Sequence, residues 1–526
     1  MTTKTPSGEI LPISPKAYAR RWKTLVVLSL SLLIIGLDNT ILNVALPSLQ
    51  EEFDASASTL QWIVDAYLLA FAGLLLTMGT LGDRFGRKLA LQAGLFLFGG
   101  ASLCVLLVDT SSQLIAVRSI MGVGGALIMP ATLSVISNVF PREERAKAIG
   151  IWSAMAAVGI GLGPFFGGLL LEWFSWTSVF LVNVPVAATA LILSFWLVPE
   201  SRDPKPGAFD FVGAGLSIAA LGALVYGVIE APHSGWTDPV ILGCFAASGV
   251  LAAAFVRWEL RIAEPMLNLS FFRNPRFSIA SMGLGIASFS LFGAIFGTTQ
   301  FLQDAHGYSA LGAGAAMVPV ALGMVMGAGS SSIKLVPKLG ARPIITLGLV
   351  GQSVVLASTN LWSPGMSCWF IALWFYFLAF FMGWVMAPAT ASVMGAVPAE
   401  KSGVASAMND VTRQVGGALG TAVLGSLITT LYASQIHDST GVLSDSSRTA
   451  AEESIGQANA VADSLGGATG TSLADDAAHA FTQALGHAFT VGALAALVGA
   501  VLVRRFLPGK PAAEATVEAE PLRDAA

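Results

Sequence analysis

The chain has 526 residues, 54% of them hydrophobic and only 11% charged, with 28 Lys and Arg against 32 Asp and Glu for a net charge of −4. Soluble domains carry about 25% charged residues, so this chain cannot clothe the several soluble domains that its length would otherwise suggest. A soluble enzyme, a nucleic-acid binder and a disordered scaffold are therefore disfavoured, and a mean hydropathy of +0.72 points to a membrane protein.

Apolar runs bounded by charge or turn residues predict membrane-spanning helices in chain order. They fall near 24–46, 61–82, 89–108, 113–138, 148–170, 177–198 and 211–230, then 240–256, 277–301, 311–333, 343–361, 368–394, 404–431 and 483–507. That is fourteen spans. The first is longer than the apolar core of a secretory signal and contains Asp38, so it reads as a retained span. With the N-terminus placed in the cytoplasm, cytoplasmic segments hold 25 of the 28 Lys and Arg. This is the positive-inside pattern, and one extra or missing span would destroy it. Both termini are expected in the cytoplasm. The one long loop, 432–480, is rich in Ser, Ala, Asp and Gly and reads as a solvated extracellular loop with at most a short surface helix.

The chain repeats itself. Pro130-Ala131-Thr132-Leu133-Ser134-Val135 recurs as Pro388-Ala389-Thr390-Ala391-Ser392-Val393, at an offset of 258. Leu81-Gly82-Asp83-Arg84-Phe85-Gly86-Arg87-Lys88 is echoed by Leu335-Val336-Pro337-Lys338-Leu339-Gly340-Ala341-Arg342, at an offset of 254. The predicted fold is all-α and integral to the membrane, with two six-helix pseudo-repeats and an inserted helix pair. Its parts are a cytoplasmic tail (1–23), an N-terminal bundle (24–200), the inserted pair with its linkers (201–270), a C-terminal bundle (271–507) and a second cytoplasmic tail (508–526). Transporters are commonly built from such repeats, with substrate bound between them.

Charge within the spans singles out candidates, because a carboxylate in hydrocarbon costs about 2.5–3.5 kcal/mol and must face a cavity or a partner. Asp38 is placed to load and release a proton, or simply to stitch helices together. Arg118 can pair with Asp38 or Asp65 if their spans adjoin. Asp410 and Arg413 stand three residues apart on one helical face and form either a self-satisfied pair or a second gating or proton site. Asn43, Trp152, Met155, Phe292, Phe296, Gln300, Gln303, Tyr376 and Asn409 are candidates to line an apolar cavity with a few polar groups. The three cysteines and five histidines form no metal or disulfide pattern. There is no GxxxxGK[ST] phosphate loop, so neither ATP nor any other cofactor is expected.

Several of these stretches resemble one family. Gly79-Thr80-Leu81-Gly82-Asp83-Arg84-Phe85-Gly86-Arg87-Lys88 is similar to the loop signature of the major facilitator superfamily. Leu37-Asp38-Asn39-Thr40-Ile41-Leu42-Asn43-Val44-Ala45-Leu46-Pro47 resembles the first-span signature of its fourteen-span drug:proton antiporters. Gly159-Ile160-Gly161-Leu162-Gly163-Pro164-Phe165-Phe166-Gly167-Gly168 resembles their fifth-span antiporter motif, and Leu114 to Gly125 their fourth-span motif. Gln61-Trp62 with Tyr67, Phe180 to Pro185 and Phe301-Leu302-Gln303 are further echoes. The resemblance implies a monomeric exporter in the bacterial inner (plasma) membrane, driven by the proton gradient and moving small amphipathic drugs or antibiotics. It implies coupling roles for Asp38 and Arg118, and a latch in which Asp83 caps the helix beginning near Ser402-Gly403. Gly79, Gly82, Arg84, Gly86, Arg87 and Lys88 complete that latch. Gly159, Gly163, Pro164, Gly167 and Gly168 are implied to seal or open one side. Rival readings are a dedicated exporter of one metabolite or self-made antibiotic and, outside transport, a membrane-embedded enzyme or receptor.

Overall fold

The structure is a computed structural model and describes residues 3–4, 10–11, 14–53, 55, 57–202, 210–262, 265, 267, 269–398, 401–441 and 443–509. Fourteen helices among the described residues are long and apolar enough to cross a membrane. They are α1 (Arg21–Phe53), α2 (Ala57–Phe85), α3 (Arg87–Cys104), α4 (Ser111–Val139), α5 (Arg142–Trp173), α6 (Asn183–Leu197, whose span begins with the short helix Ser178–Leu181) and α7 (Phe211–Ser234). Then come α8 (Pro239–Glu259), α9 (Pro275–Gln300), α10 (Ala310–Ser330), α11 (Ala341–Ala357), α12 (Cys368–Gly395), α13 (Ser402–Ile436) and α14 (Gly467–Phe506). Each coincides with one of the apolar runs. A two-residue antiparallel ladder pairs Thr3 with Leu11 near the start of the chain.

Local chemistry sets the helix ends. Thr110 opens α4 with a capping box, its hydroxyl accepting from the Gln113 N–H. Asp238 and Asn274 cap α8 and α9, each followed by a proline in the first turn, where the missing N–H costs nothing. The repeat is visible in backbone geometry. Gly86 and Gly340 both take positive φ, 123° and 87°, to turn α2 into α3 and the chain before α11 into that helix. Pro130 and Pro388 both sit inside continuous helices, α4 and α12.

Helices α1 to α6 pack among themselves, chiefly α5 on α1, α4 on α2 and α3, and α6 on α1 and α3. Helices α9 to α14 do the same, chiefly α12 on α10, α13 on α9, and α14 on α11. The two sets meet along two seams. In one, α5 lies against α10; in the other, α2 and α4 lie against α13. Helix α7 packs on α8 and contacts both α2 and α13, with Trp236 Nε1 donating to Ser426 Oγ at 3.1 Å. Large apolar side chains such as Phe96, Phe195, Val250, Leu322, Val354 and Val498 are exposed on the outer surface. That is unfavourable in water and expected against lipid tails.

The 432–480 segment departs from the loop its composition suggested. Helix α13 runs on to Ile436, helices Asp445–Glu453 and Ile455–Leu465 follow, and α14 already begins at Gly467. Ala451 of the first short helix and Ile455, Ala458 and Ala462 of the second are buried, the last three at helical spacing. Tyr432 donates its hydroxyl to the Ala451 carbonyl at 3.0 Å, and Asn459 Nδ2 donates to the Asp304 carbonyl at 2.6 Å. The polar residues face outward from a packed helical cap.

Candidate functional site

Two buried acid–arginine pairs lie inside the helical body. In the first, Asp38 of α1 and Arg118 of α4 are each 1% exposed. Arg118 Nη1 donates to Asp38 Oδ2 at 2.6 Å, and Asn183 Nδ2 of α6 donates to Asp38 Oδ1 at 3.0 Å. Arg118 Nε donates to the Ile63 carbonyl of α2 at 3.1 Å, and its guanidinium lies 4.5 Å from the centre of the Tyr67 ring. Four helices thus converge on one charge pair, and both carboxylate oxygens are bonded. Such a pair is costly to break, because removing either charge would leave the other buried without its partner.

The second pair is looser. Arg413 Nη2 lies 3.6 Å from Asp410 Oδ1, and Asp410 is fully buried. Neither carboxylate oxygen has a well-formed hydrogen bond within the described residues, and neither does Arg413 Nε. Asn409 approaches the Asp410 carboxylate without forming one. The two residues form a long ion pair whose hydrogen bonds are incomplete among the described residues.

The α2–α13 seam is closed at one end by Asp83. Its carboxylate accepts from the N–H groups of Gly403 and Val404, at 2.9 and 3.2 Å, in the first turn of α13. A carboxylate there complements the positive end of the helix dipole. Arg87 grips the same carboxylate at 2.6 and 2.8 Å. The approach needs bare backbone: a Cβ on Gly79 would lie 2.7 Å from the Gly403 carbonyl oxygen, and one on Gly403 would strike Asp83. Gly82 faces Ala90. Arg84 stands over the ring of Phe85. Lys88 turns the other way, donating to the Phe195 carbonyl at 2.9 Å and facing Glu200 at 3.8 Å, so it braces α3 against the end of α6. Asn138 Nδ2 of α4 donates to Ser402 Oγ at 3.3 Å beside the Asp83 contact.

The glycine motif of α5 is two-faced. Gly159, Gly163 and Gly167 press on Leu33, Leu37, Thr40 and Ile41 of α1, where a Cβ at Gly159 would lie 2.5 Å from the Leu33 carbonyl oxygen. Thr40 Oγ1 bonds the Ile160 carbonyl at 3.0 Å. On the other face Gly161 meets Ala321 of α10, and Pro164 meets Gly314 of the same helix. Gly168 is half-buried. The α1 stretch that holds Asp38 is thus pinned by a helix that also contacts the second bundle.

The cavity candidates scatter. Trp152 is fully buried in α5, its Nε1 donating to Thr132 Oγ1 of α4 at 3.1 Å. Phe292 and Phe296 pack on Gly417 and Gly425 of α13. Tyr376 stacks on Phe380 and points its hydroxyl at Met326 Sδ, 3.3 Å away. Met155 and Gln300 are half-buried, and Gln303 is exposed. Asn409 is buried beside Asp410 without a hydrogen bond to it among the described residues. Asp65 and Asn43 fall on α2 and α1, but their side chains lie outside the described residues. Sequence reading missed Asn183, Tyr67 and the Ile63 carbonyl as partners of Asp38 and Arg118. Asn183 and Tyr67 lie within or beside quoted motifs, whereas a backbone carbonyl leaves no signal at all. No group of three or more His, Cys, Asp or Glu side chains able to hold a metal ion occurs among the described residues.

Comparison with known proteins gives this geometry a family. Residues 28–421 match the model of the Major Facilitator Superfamily. The chain is 37% identical to the multidrug efflux pump LfrA of Mycolicibacterium smegmatis, over 94% of this chain and 97% of that protein. It is 33% identical to the tetracenomycin C resistance and export protein of Streptomyces glaucescens, over 95% of each. In fold it is similar to the crystal structure of the human organic anion transporter MFSD10 (TETRAN), with a TM-score of 0.60, 15% identity, and coverage of 93% of this chain and 100% of that one. The fourteen apolar helices make it a multi-pass membrane protein, and the chain belongs to the Major Facilitator Superfamily.

Proposed function

We propose that the protein is a proton-coupled antiporter that exports amphipathic drugs or antibiotics across the bacterial cytoplasmic membrane by alternating access. The observation behind this reading is the Asp38–Arg118 pair, buried at 2.6 Å and anchored by Asn183, on the stretch of α1 pinned by α5. A proton reaching Asp38 removes the negative charge that holds Arg118. The freed guanidinium shifts on Ile63 and Tyr67, and α1 can move relative to α4. That movement passes through the α5 glycine face to α10, and so to the second bundle. Asp83 holds the α2–α13 seam shut and must let go when the bundles rock. In this scheme the bundles span 24–200 and 271–507, joined through 201–270. The Asp83 end faces the cytoplasm with both termini, and one chain working alone needs no cofactor. Asp410 and Arg413 act as a second charge site, and Asp65 adds to the first.

The names of the two relatives, a multidrug efflux pump and a resistance and export protein for one antibiotic, both support drug export. The second also keeps open a dedicated exporter with a narrower pocket but the same engine. Everted membrane vesicles test the proposal. Addition of a transported drug to energised vesicles should release protons, and collapsing the pH difference should stop drug accumulation. Accumulation that persists without a pH difference would overturn proton coupling. A susceptibility panel on cells with and without the protein separates a broad exporter from a dedicated one.

A further inference from the structure

Tyr67 of α2 packs against Arg118 of the first charge pair. It is fully buried, and its ring is fixed on several sides. Phe71 stacks against it at 5.7 Å, Phe98 meets it edge-on at 6.4 Å, and the bare backbone of Gly122 and Gly125 on α4 lets it pack close. Arg118 covers a ring face at 4.5 Å. The contacts with Phe71, Phe98 and Arg118 use the ring alone, so a phenylalanine would keep them, whereas the hydroxyl oxygen is the atom that faces the bare backbone of Gly125. The hydroxyl has no hydrogen-bond partner among the described residues. A buried hydroxyl without a partner is disfavoured, so this oxygen calls for a partner in another arrangement of the molecule.

The second bundle supplies one. Helices α2 and α13 run antiparallel and touch at Gly79 and Gly403. Tyr67 lies twelve residues before Gly79 and Arg413 ten residues beyond Gly403, which puts them about 18 and 15 Å along the same seam at 1.5 Å per residue. Arg413 is within electrostatic reach of Tyr67. It is also the less committed of the two arginines, with Nε unbonded and Asp410 no nearer than 3.6 Å. Among the described residues, the charged groups that act on Tyr67 are Asp38 from α1, Arg118 from α4 and Arg413 from α13.

We propose that Tyr67 is a positioning residue that ties the two buried pairs together across the seam between the bundles. Its ring seats Arg118 for Asp38, and its hydroxyl is the alternative acceptor that draws Arg413 away from Asp410 when the bundles move. Arg413 is thereby shared between a carboxylate in its own bundle and a phenol in the other. The charge state of one bundle is then felt by the other without a proton crossing the seam. This inference rests on the antiport reading above and adds to it a residue that links the two sites.

The test uses the full chain in proteoliposomes with ethidium as the probe. Three quantities are read: ethidium transport driven by an imposed pH difference, ethidium exchange with no gradient, and equilibrium ethidium binding. Tyr67→Phe keeps every ring contact and removes one oxygen. Gradient-driven transport should fall about tenfold, as for loss of a hydrogen bond to a charged group, with a displaced pH profile. Binding and exchange should stay near wild-type levels. The double variant Tyr67→Phe/Arg413→Gln should be no worse than Arg413→Gln alone, because the hydroxyl acts through that arginine. Wild-type coupling and pH profile in Tyr67→Phe would overturn the inference, as would independent, multiplying losses in the double variant. If the unmodified protein itself ignored the pH difference, the antiport reading would fall and this inference with it. A coupled wild type beside an unaffected Tyr67→Phe removes only the role of Tyr67.

Discussion

Asp38 and Asp410 are equally hidden, and each has an arginine close by, yet the two sites are built in opposite ways. Asp38 is held at 2.6 Å by an arginine from another helix and at 3.0 Å by Asn183 from a third. Asp410 has an arginine one turn along its own helix, at 3.6 Å, and no well-formed hydrogen bond among the described residues. The first site binds helices α1, α2, α4 and α6 to one another, so its charge state bears on how that bundle packs. The second lies within one helix and leaves its polar atoms available to a newcomer. A buried ion pair is weak evidence of stability, but removing one partner is costly. The two sites should therefore respond differently to the same substitution.

The sharpest break is Asp38→Asn. It should abolish gradient-driven efflux in energised vesicles and lower folding stability by about 3–5 kcal/mol, because Arg118 stays buried without its counter-charge. Full efflux with wild-type thermal stability would take Asp38 out of the mechanism. Arg118→Lys comes next. An ammonium cannot reach Asp38 and Ile63 together while lying flat on Tyr67, so coupling measured by drug-triggered proton release should fall about tenfold. Undiminished release would favour a packing role. Asp410→Asn should lose less transport than either and cost less stability, since little bonding is removed; a thermal shift matching that of Asp38→Asn would erase the contrast.

Two smaller effects lie farther from the pairs. Asp83→Ala removes the acceptor for the Gly403 and Val404 N–H groups. Spin labels on α2 and α13 should then report a larger share of molecules with that seam parted, and an unchanged distance distribution would count against a latch. The smallest concerns the helical cap. The Thr440 hydroxyl and His437 hold the Glu452 carboxyl below its ordinary value of 4.5. A depressed carboxyl stabilises the fold above its unfolded pKa, and that contribution is lost as pH falls through the folded value. Protection factors across 437–453, corrected for the intrinsic exchange rate, should fall below about pH 4.5, and Glu452→Gln should remove that fall.

Much of this was legible in the chain because membranes impose simple rules. Each apolar run became one helix, since the backbone must bond to itself in lipid. The duplication was readable because the same turn recurs at Gly86 and Gly340, and the same helix proline at Pro130 and Pro388. The Asp83 cap on α13 followed from a motif. The other groups around the Asp38–Arg118 pair did not, because Asn183, Ile63 and Tyr67 come from two further helices, α6 and α2, and depend on how those helices are rotated. Asn183 was hidden by its apolar neighbours. The helical cap was hidden by its composition: the Ser, Asp and Gly that suggest a loop mask the recurrence of Ile455, Ala458 and Ala462. The looseness of Asp410–Arg413 could not be read from a three-residue spacing, which fixes a shared face and says nothing of a distance.

The inserted helix α7 touches both bundles, but not in the way α5 does. A Cβ on Gly159 would collide with α1 at 2.5 Å, whereas one on Gly73 would only graze Ile218 and Gly222 at 3.9 and 4.0 Å. The first contact sets backbone against backbone. The second is looser at that glycine and is carried by side chains, with the Trp62 and Tyr226 rings 5.9 Å apart. If the bundles rock as proposed, α7 parts from α2 by moving side chains alone, as fingers leave a glove.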